Sequence, residues 1–316
     1  MTYLSPTDKS VWNGRPSQSL DYWYQAISFE LDNQGKQVAL LGYCGDEGVK
    51  RNLGRPGAAD GPDHIRKMMA PMAYHLPQEL KIIDLGNIVT KNMDMESSHD
   101  MITRQVEELL QRRVFPVLFG GGHDLALAHG RGILNYLKSK NETLGIINLD
   151  AHFDLRPKID GKGHSGSPFQ QLYEEFPDNF HYLCLGIQKA ANPPSLFDLA
   201  RSTKSQWLDM EEFRLDNWDY IAEVLQTFYK NVNKIYLSID LDGFSSAFAP
   251  GVSAPSPMGF SPELAFKVLD WLALSGKLVS VDIVELNPKY DKDMQTARLA
   301  ARCTEFLLRK IFRKQS

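Results

Sequence analysis

The chain has few cysteines, no long apolar run and little net charge. Among 316 residues there are three cysteines, Cys44, Cys184 and Cys303. They are far apart, odd in number and without CxxC spacing, which argues against a disulfide framework or a cysteine-ligated zinc. Cys184, in the run Tyr182-Leu183-Cys184-Leu185, reads as plain core. No apolar segment approaches the roughly 18 residues of a membrane-spanning helix. The N-terminal stretch MTYLSPTDKSVWNGRPS lacks the apolar region of a signal peptide, so a reducing cytoplasm is the expected location. Net charge is −4, and no basic run or aromatic-basic interleaving offers itself to nucleic acid. No repeat, low-complexity tract or Pro/Gly/Ser linker divides the chain. One domain over residues 1–316 is therefore expected, with residues 1–36 as an N-terminal extension packed on it.

What is present suits a substantial core: 43% of residues are apolar and 23% charged. Short apolar runs recur at 38–42, 82–85, 114–119, 144–149, 182–187, 235–239 and 278–284. Helical periodicity lies between and after them, at 62–69, 99–112, 262–274 and 296–312. Ser261 is a natural N-cap, with Pro262 at the first helical position and Glu263 in the first turn. Short runs alternating with helices predict an α/β fold with a mainly parallel sheet.

Three of the runs end in residues that carry chemistry. The run 114–119 leads into Gly120-Gly121-Gly122-His123-Asp124, and 144–149 into Asp150-Ala151-His152-Phe153-Asp154. The run 235–239 leads into Asp240-Leu241-Asp242. In extended chain, residues i and i+2 point the same way, so Asp150 and His152, and Asp240 and Asp242, can each aim at one point. The glycines allow close backbone approach and bring His123 to the same rim. Carboxylates converging in one pocket repel each other and are costly to desolvate, so a cation is expected between them. His123, Asp150, His152, Asp154, Asp240 and Asp242 offer two imidazoles and four carboxylates, and two divalent cations balance the charge. A sulfur-free set favours manganese or a similar ion. Singly, each motif has a plainer reading: a capped strand end, a flexible or phosphate-binding turn, a magnesium site.

Taken together and in this order, GGGHD, DAHFD and SIDLD resemble the metal signatures of the ureohydrolase (arginase/agmatinase) family. Val281-Asp282-Ile283-Val284-Glu285-Leu286-Asn287-Pro288 is similar to that family's late D-I-x-E-x-N-P motif, and the resemblance runs from about residue 38 to 312. It implies a three-layer α/β/α fold around a central, mainly parallel sheet of about eight strands. It also implies two manganese ions per subunit, self-association in many members, and hydrolysis of an amidine or guanidine. By the same resemblance, His123 and Asp154 belong to one ion and His152 and Asp242 mainly to the other, with Asp150 and Asp240 shared. Glu285 would pair with the planar cationic N–C–N group. His164, in His164-Ser165-Gly166-Ser167-Pro168, looks like a flexible-loop histidine that passes a proton to the leaving nitrogen, a task shared with Asp154. After Asp242, Ser245 stands where many members have an aspartate whose role looks structural.

Two positions speak to the substrate. Arg156 stands where arginases carry a neutral Asn, and Lys189 near where they carry an Asp for the substrate's α-ammonium. Basic residues at both disfavour arginine and suit a dianionic tail. Residues 44–62, including Arg51 and Arg55, look like the D-E-G-V-x-R-N-x-G-R-x-G-A-x-x-G-P stretch of the branch acting on N-formimino-L-glutamate. Cleavage of that small molecule to L-glutamate and formamide, a step of histidine degradation, is the expected activity. The rivals are another ureohydrolase acting on an anionic guanidino acid, agmatine or arginine, and a metal-binding protein without catalysis.

Overall fold

The computed structural model describes residues 2–32, 34–92 and 94–313. Ten strands form one sheet: β1 (Tyr3–Ser5), β2 (Ile27–Ser28), β3 (Gln37–Cys44), β4 (Lys81–Val89), β5 (Val114–Phe119), β6 (Leu144–Leu149), β7 (Phe180–Ile187), β8 (Gln206–Asp209), β9 (Lys234–Asp240) and β10 (Leu278–Val284). Eight of them, in the order β4-β3-β5-β10-β9-β6-β7-β8, pair parallel throughout. β1 adds antiparallel to β4 at one edge, and β2 pairs parallel with β4.

The parallel strands are near-continuous apolar runs because helices cover both faces. All six residues of β6 are buried. Alternate side chains enter opposite layers: Ile147 and Leu149 join one core, Leu144 and Ile146 the other. The first core takes Ile65 and Met69 from the helix Gly61–Met69, Leu225 from Trp218–Lys230, Leu264 from Pro262–Leu274 and Ala297 from Gln295–Ile311. The second takes Ile102 from Met95–Gln111, Ile133 from Leu125–Lys138, Leu172 from Pro168–Glu175 and Leu196 from Pro194–Ser202. This is the α/β/α arrangement. The helix Pro262–Leu274 opens as expected, with Ser261 accepting a hydrogen bond from the Leu264 amide.

The N-terminal residues are more deeply built in than an extension need be. They supply β1 and β2, and Trp23 is fully buried. The indole N–H of Trp12 donates to Asp84 Oδ2, and Asp84 also receives both Nε and Nη2 of the fully buried Arg66. Asn87 accepts from Arg66 Nη1 and completes a paired, hydrogen-bonded buried charge.

The sheet order explains why motifs far apart in sequence meet. β5, β10, β9 and β6 are consecutive neighbours, each about 4.8 Å from the next. Their carboxyl ends carry His123, Glu285, Asp240 with Asp242, and Asp150 to Asp154. Ligands of open parallel sheets bind beyond such ends.

Candidate metal centre

At the end of β5 the chain passes through Gly120-Gly121-Gly122. None of the three has a positive φ; what they provide is room. A Cβ on Gly121 would fall on the carbonyl oxygen of Gly45, and one on Gly120 would meet Val284 Cγ1 at 2.6 Å. The Gly122 amide donates to Gly45 O, and the Glu285 amide donates to Gly121 O. These bonds fasten the loop between β3 and β10 and aim His123 inward.

Around His123, Nδ1 lies 2.8 Å from Asp154 Oδ2, 3.0 Å from Asp240 Oδ2 and 3.3 Å from Asp150 Oδ2. Asp150 turns its other oxygen to a second histidine, with Oδ1 3.3 Å from His152 Nδ1, and Asp242 Oδ1 is 3.4 Å from the same nitrogen. Two groups able to hold an ion therefore share one carboxylate: His123, Asp150, Asp154 and Asp240, and Asp150, His152 and Asp242. The structure thus brings together all six residues expected as ligands; Asp150 is common to both groups, whereas Asp240, also expected to be shared, falls in the first group only.

The donor set fits cations. Although three carboxylates crowd His123 Nδ1, none is aligned to hydrogen-bond with it, and Asp242 Oδ1 is likewise buried without a hydrogen-bond partner among the described residues. Buried polar atoms are rarely left so unless something else belongs there. Electrostatics agree. Burial lowers the pKa of His123, but Asp150, Asp154 and Asp240 outweigh it and hold the value well above the ordinary one. His152 is raised in the same way, by Asp242 and Asp150 against burial. Burial, then repulsion from Asp242 and Asp150, pushes Asp240 up, and burial also raises Asp242. For Asp150 burial is overcome by the two histidines, which hold it down. A site that draws protons this strongly is short of positive charge.

Glu285 closes the cluster from β10. It is 4% exposed, its Oε1 accepts the His123 amide at 2.8 Å, and burial followed by repulsion from Asp242 lifts its carboxyl to about 8. Its φ of 67° is strained for a residue with a Cβ. Asp154, also at positive φ (49°), shows the second such bend at the rim.

Three expected residues have less simple settings. His164 is fully buried rather than on a free loop. Its Nδ1 accepts from the Gly166 amide and its Nε2 lies 3.0 Å from Pro157 O. Both nitrogens are used, so the ring braces the turn against the Arg156–Pro157 segment, and burial lowers its pKa. Lys189 is exposed at the end of β7 and pairs with Asp209 (2.9 Å) and Glu211 (3.6 Å), where β8 ends. Arg156 is half-buried, and its backbone amide donates to Gly166 O. Among the described residues its guanidinium has no ion-pair partner. Ser245 fills the place of the family's aspartate: its hydroxyl donates to Pro257 O.

A second layer escaped the sequence reading. His123 Nε2 bonds Ser238 Oγ (2.9 Å), which donates to Asp282 Oδ1 (2.6 Å). Asp124 accepts from Tyr43 Oη and lies 3.0 Å from His99 Nε2. The available signal was polar residues inside apolar strands, Ser238 in β9 and Asp282 in β10, since buried polar groups must find partners.

Comparison with known proteins shows the family. A model described as the arginase family matches residues 36–308. The chain is 40% identical over 307 residues to a formimidoylglutamase of Legionella pneumophila (strain Paris), with 94% of each chain covered. It is 36% identical over 314 residues to a formimidoylglutamase of Clostridium tetani, covering 94% of this chain and 93% of the relative. Its fold matches the crystal structure of a Trypanosoma cruzi formiminoglutamase with two Mn2+, at a TM-score of 0.78 and 26% identity, over 88% of this chain and 94% of that one. The chain belongs to the arginase family.

Proposed function

We propose that this chain hydrolyses N-formimino-L-glutamate to L-glutamate and formamide, using a pair of manganese ions. The observation that carries the reading is the double cluster sharing Asp150, in a chain that aligns almost end to end with formimidoylglutamases. His123, Asp150, Asp154 and Asp240 would hold one ion, and Asp150, His152 and Asp242 the other. When bound, the ions supply Lewis acidity and a water that ionises near neutral pH.

The chain's own residues do the rest. Glu285, buried and turned inward, is suited to orient the planar amidinium, whose positive charge offsets the cost of a buried carboxylate. Asp154, at the rim, takes up a proton and returns it to the nitrogen that leaves as glutamate's amine. His164 is assigned a supporting part, because its two nitrogens are engaged. Arg156, half-buried and without an ion-pair partner among the described residues, grips a carboxylate of the tail. Lys189 takes part only if a carboxylate displaces Asp209 and Glu211 from its ammonium.

The test is turnover of manganese-reconstituted protein on formiminoglutamate, arginine, agmatine and guanidinobutyrate side by side. Formamide release from the first, with little urea from the others, is expected. Urea from a guanidine substrate, without formamide, would move the assignment elsewhere in the family.

A further inference from the structure

Behind the metal centre lies a buried histidine that none of the above uses. His129 stands on the helix Leu125–Lys138, with no solvent exposure. Its ring is 4.4 Å from that of Tyr236. Nδ1 is 2.7 Å from Asp282 Oδ2 and Nε2 is 2.6 Å from Ser280 Oγ. Ser280 Oγ donates its one hydrogen to Pro116 O (3.0 Å), so Nε2 is the donor in that contact. Asp282, unexposed, receives Tyr236 Oη as well as His129 on Oδ2, and Ser238 Oγ on Oδ1.

The direction of this chain of bonds decides which nitrogen of His123 faces the metal centre. While Asp282 only accepts, Ser238 must give it its hydrogen. Ser238 can then only accept from His123, so the hydrogen of that ring sits on Nε2 and the lone pair of Nδ1 faces Asp150, Asp154 and Asp240. Should Asp282 carry a proton and donate to Ser238, the chain would reverse. Ser238 would then donate to Nε2, the hydrogen of His123 would move to Nδ1, and that nitrogen could no longer ligate. A carboxylate with no exposure is costly unless a donor or cation faces it. Tyr236 and Ser238 supply hydroxyl donors, and His129, which donates from Nε2 to Ser280 and from Nδ1 to Asp282, carries both ring hydrogens and is the cation that faces it.

We propose that His129 is a positioning residue for the metal centre: it holds Asp282 as an acceptor, and through Ser238 thereby fixes His123 in the tautomer that can bind metal. The inference rests on the reading of His123, Asp150, Asp154 and Asp240 as an ion site. Partners of this outer kind are worth about 10- to 100-fold in metal affinity.

The test is calorimetric titration of Mn2+ into chelator-stripped protein, for the wild type, His129→Gln, Ser238→Ala and the double variant. In His129→Gln, one of the two sites should weaken about tenfold or more while the other stays within about threefold. In the Ser238→Ala background, His129→Gln should then cost that site little further, because the route is already cut. A residue that only fills the core would lower the melting temperature and leave both affinities unchanged. That result, equal weakening of both sites, or the same further loss in the Ser238→Ala background, overturns the proposal. If His129→Gln does not fold, Ser280→Ala, which removes the ring's other anchor, takes its place. Weakening of the same site supports the proposal, and unchanged affinities overturn it. Absence of manganese binding by the wild type would instead remove the ion-site reading itself.

Discussion

Glu285 brings together the strain, burial and charge of the site in one residue. Its left-handed backbone turns the carboxylate toward the cluster, and burial with Asp242 nearby lifts its pKa to about 8 when nothing cationic is bound. Glu285→Gln keeps the shape and removes the charge. Losing one partner of a buried ion pair costs about 3 kcal/mol or more, so kcat/KM should fall on the order of 100-fold with manganese content still two per chain. Loss of metal along with activity would make Glu285 a member of the cluster instead. Arg156→Asn should raise KM about tenfold or more and leave metal content alone; an unchanged KM removes Arg156 from the tail site. Protonation belongs to the same scale. Without metal, His123 and His152 hold protons above the ordinary 6.5, and Asp240 and Asp242 are also raised. Manganese must displace those protons, so its apparent affinity should rise as pH increases from about 6 to about 8, with proton release on binding. Affinity independent of pH over that span, measured by calorimetry in two buffers, would contradict the shifts. The six candidate ligands are legible because each lies at fixed spacing beyond an apolar run. Ser238, Asp282 and His129 are not, because nothing local to them reveals which partner they meet across the sheet.

At the scale of elements, the loop after β5 is the most sensitive part. Gly121 lies so close to Gly45 that any side chain must push the two loops apart. Gly121→Ala should therefore lower stability by about 1–3 kcal/mol and weaken manganese binding, since His123 two residues on moves with the loop. A melting curve and a metal titration both unchanged would show that the loop yields freely. The strands β5, β6 and β10 begin and end where their apolar runs do. β8 was not foreseen, because Gln206-Trp207-Leu208-Asp209 is four residues long and only half apolar. The local patterns also leave unmarked the helices Leu125–Lys138, Pro168–Glu175, Pro194–Ser202 and Trp218–Lys230. Ten residues of the first of them are buried. His164 illustrates the same limit in a loop. Its spacing from Asp154 was readable, but whether its ring stood free or braced a turn depended on Pro157 and Gly166 folding back over it.

For the whole molecule, strand order governs function. The motifs at 120–124, 150–154, 240–242 and 285 are separated by tens of residues, yet β5, β10, β9 and β6 lie side by side and deliver them to one rim. Local pattern predicted an α/β class and a mainly parallel sheet, but the permutation of strands is a property of crossover connections and is invisible in any single run. The built-in N-terminal segment was equally hidden. Trp12 and Trp23 read as aromatic residues in a polar stretch, and only the buried Arg66–Asp84 pair explains what Trp12 meets. The central claim is that six side chains from three stretches enclose two cations around a shared Asp150. The most direct test is anomalous scattering from crystals of the manganese-loaded protein. Two peaks should appear, one among His123, Asp150, Asp154 and Asp240, the other among Asp150, His152 and Asp242. A single peak, or peaks away from these residues, would contradict the account.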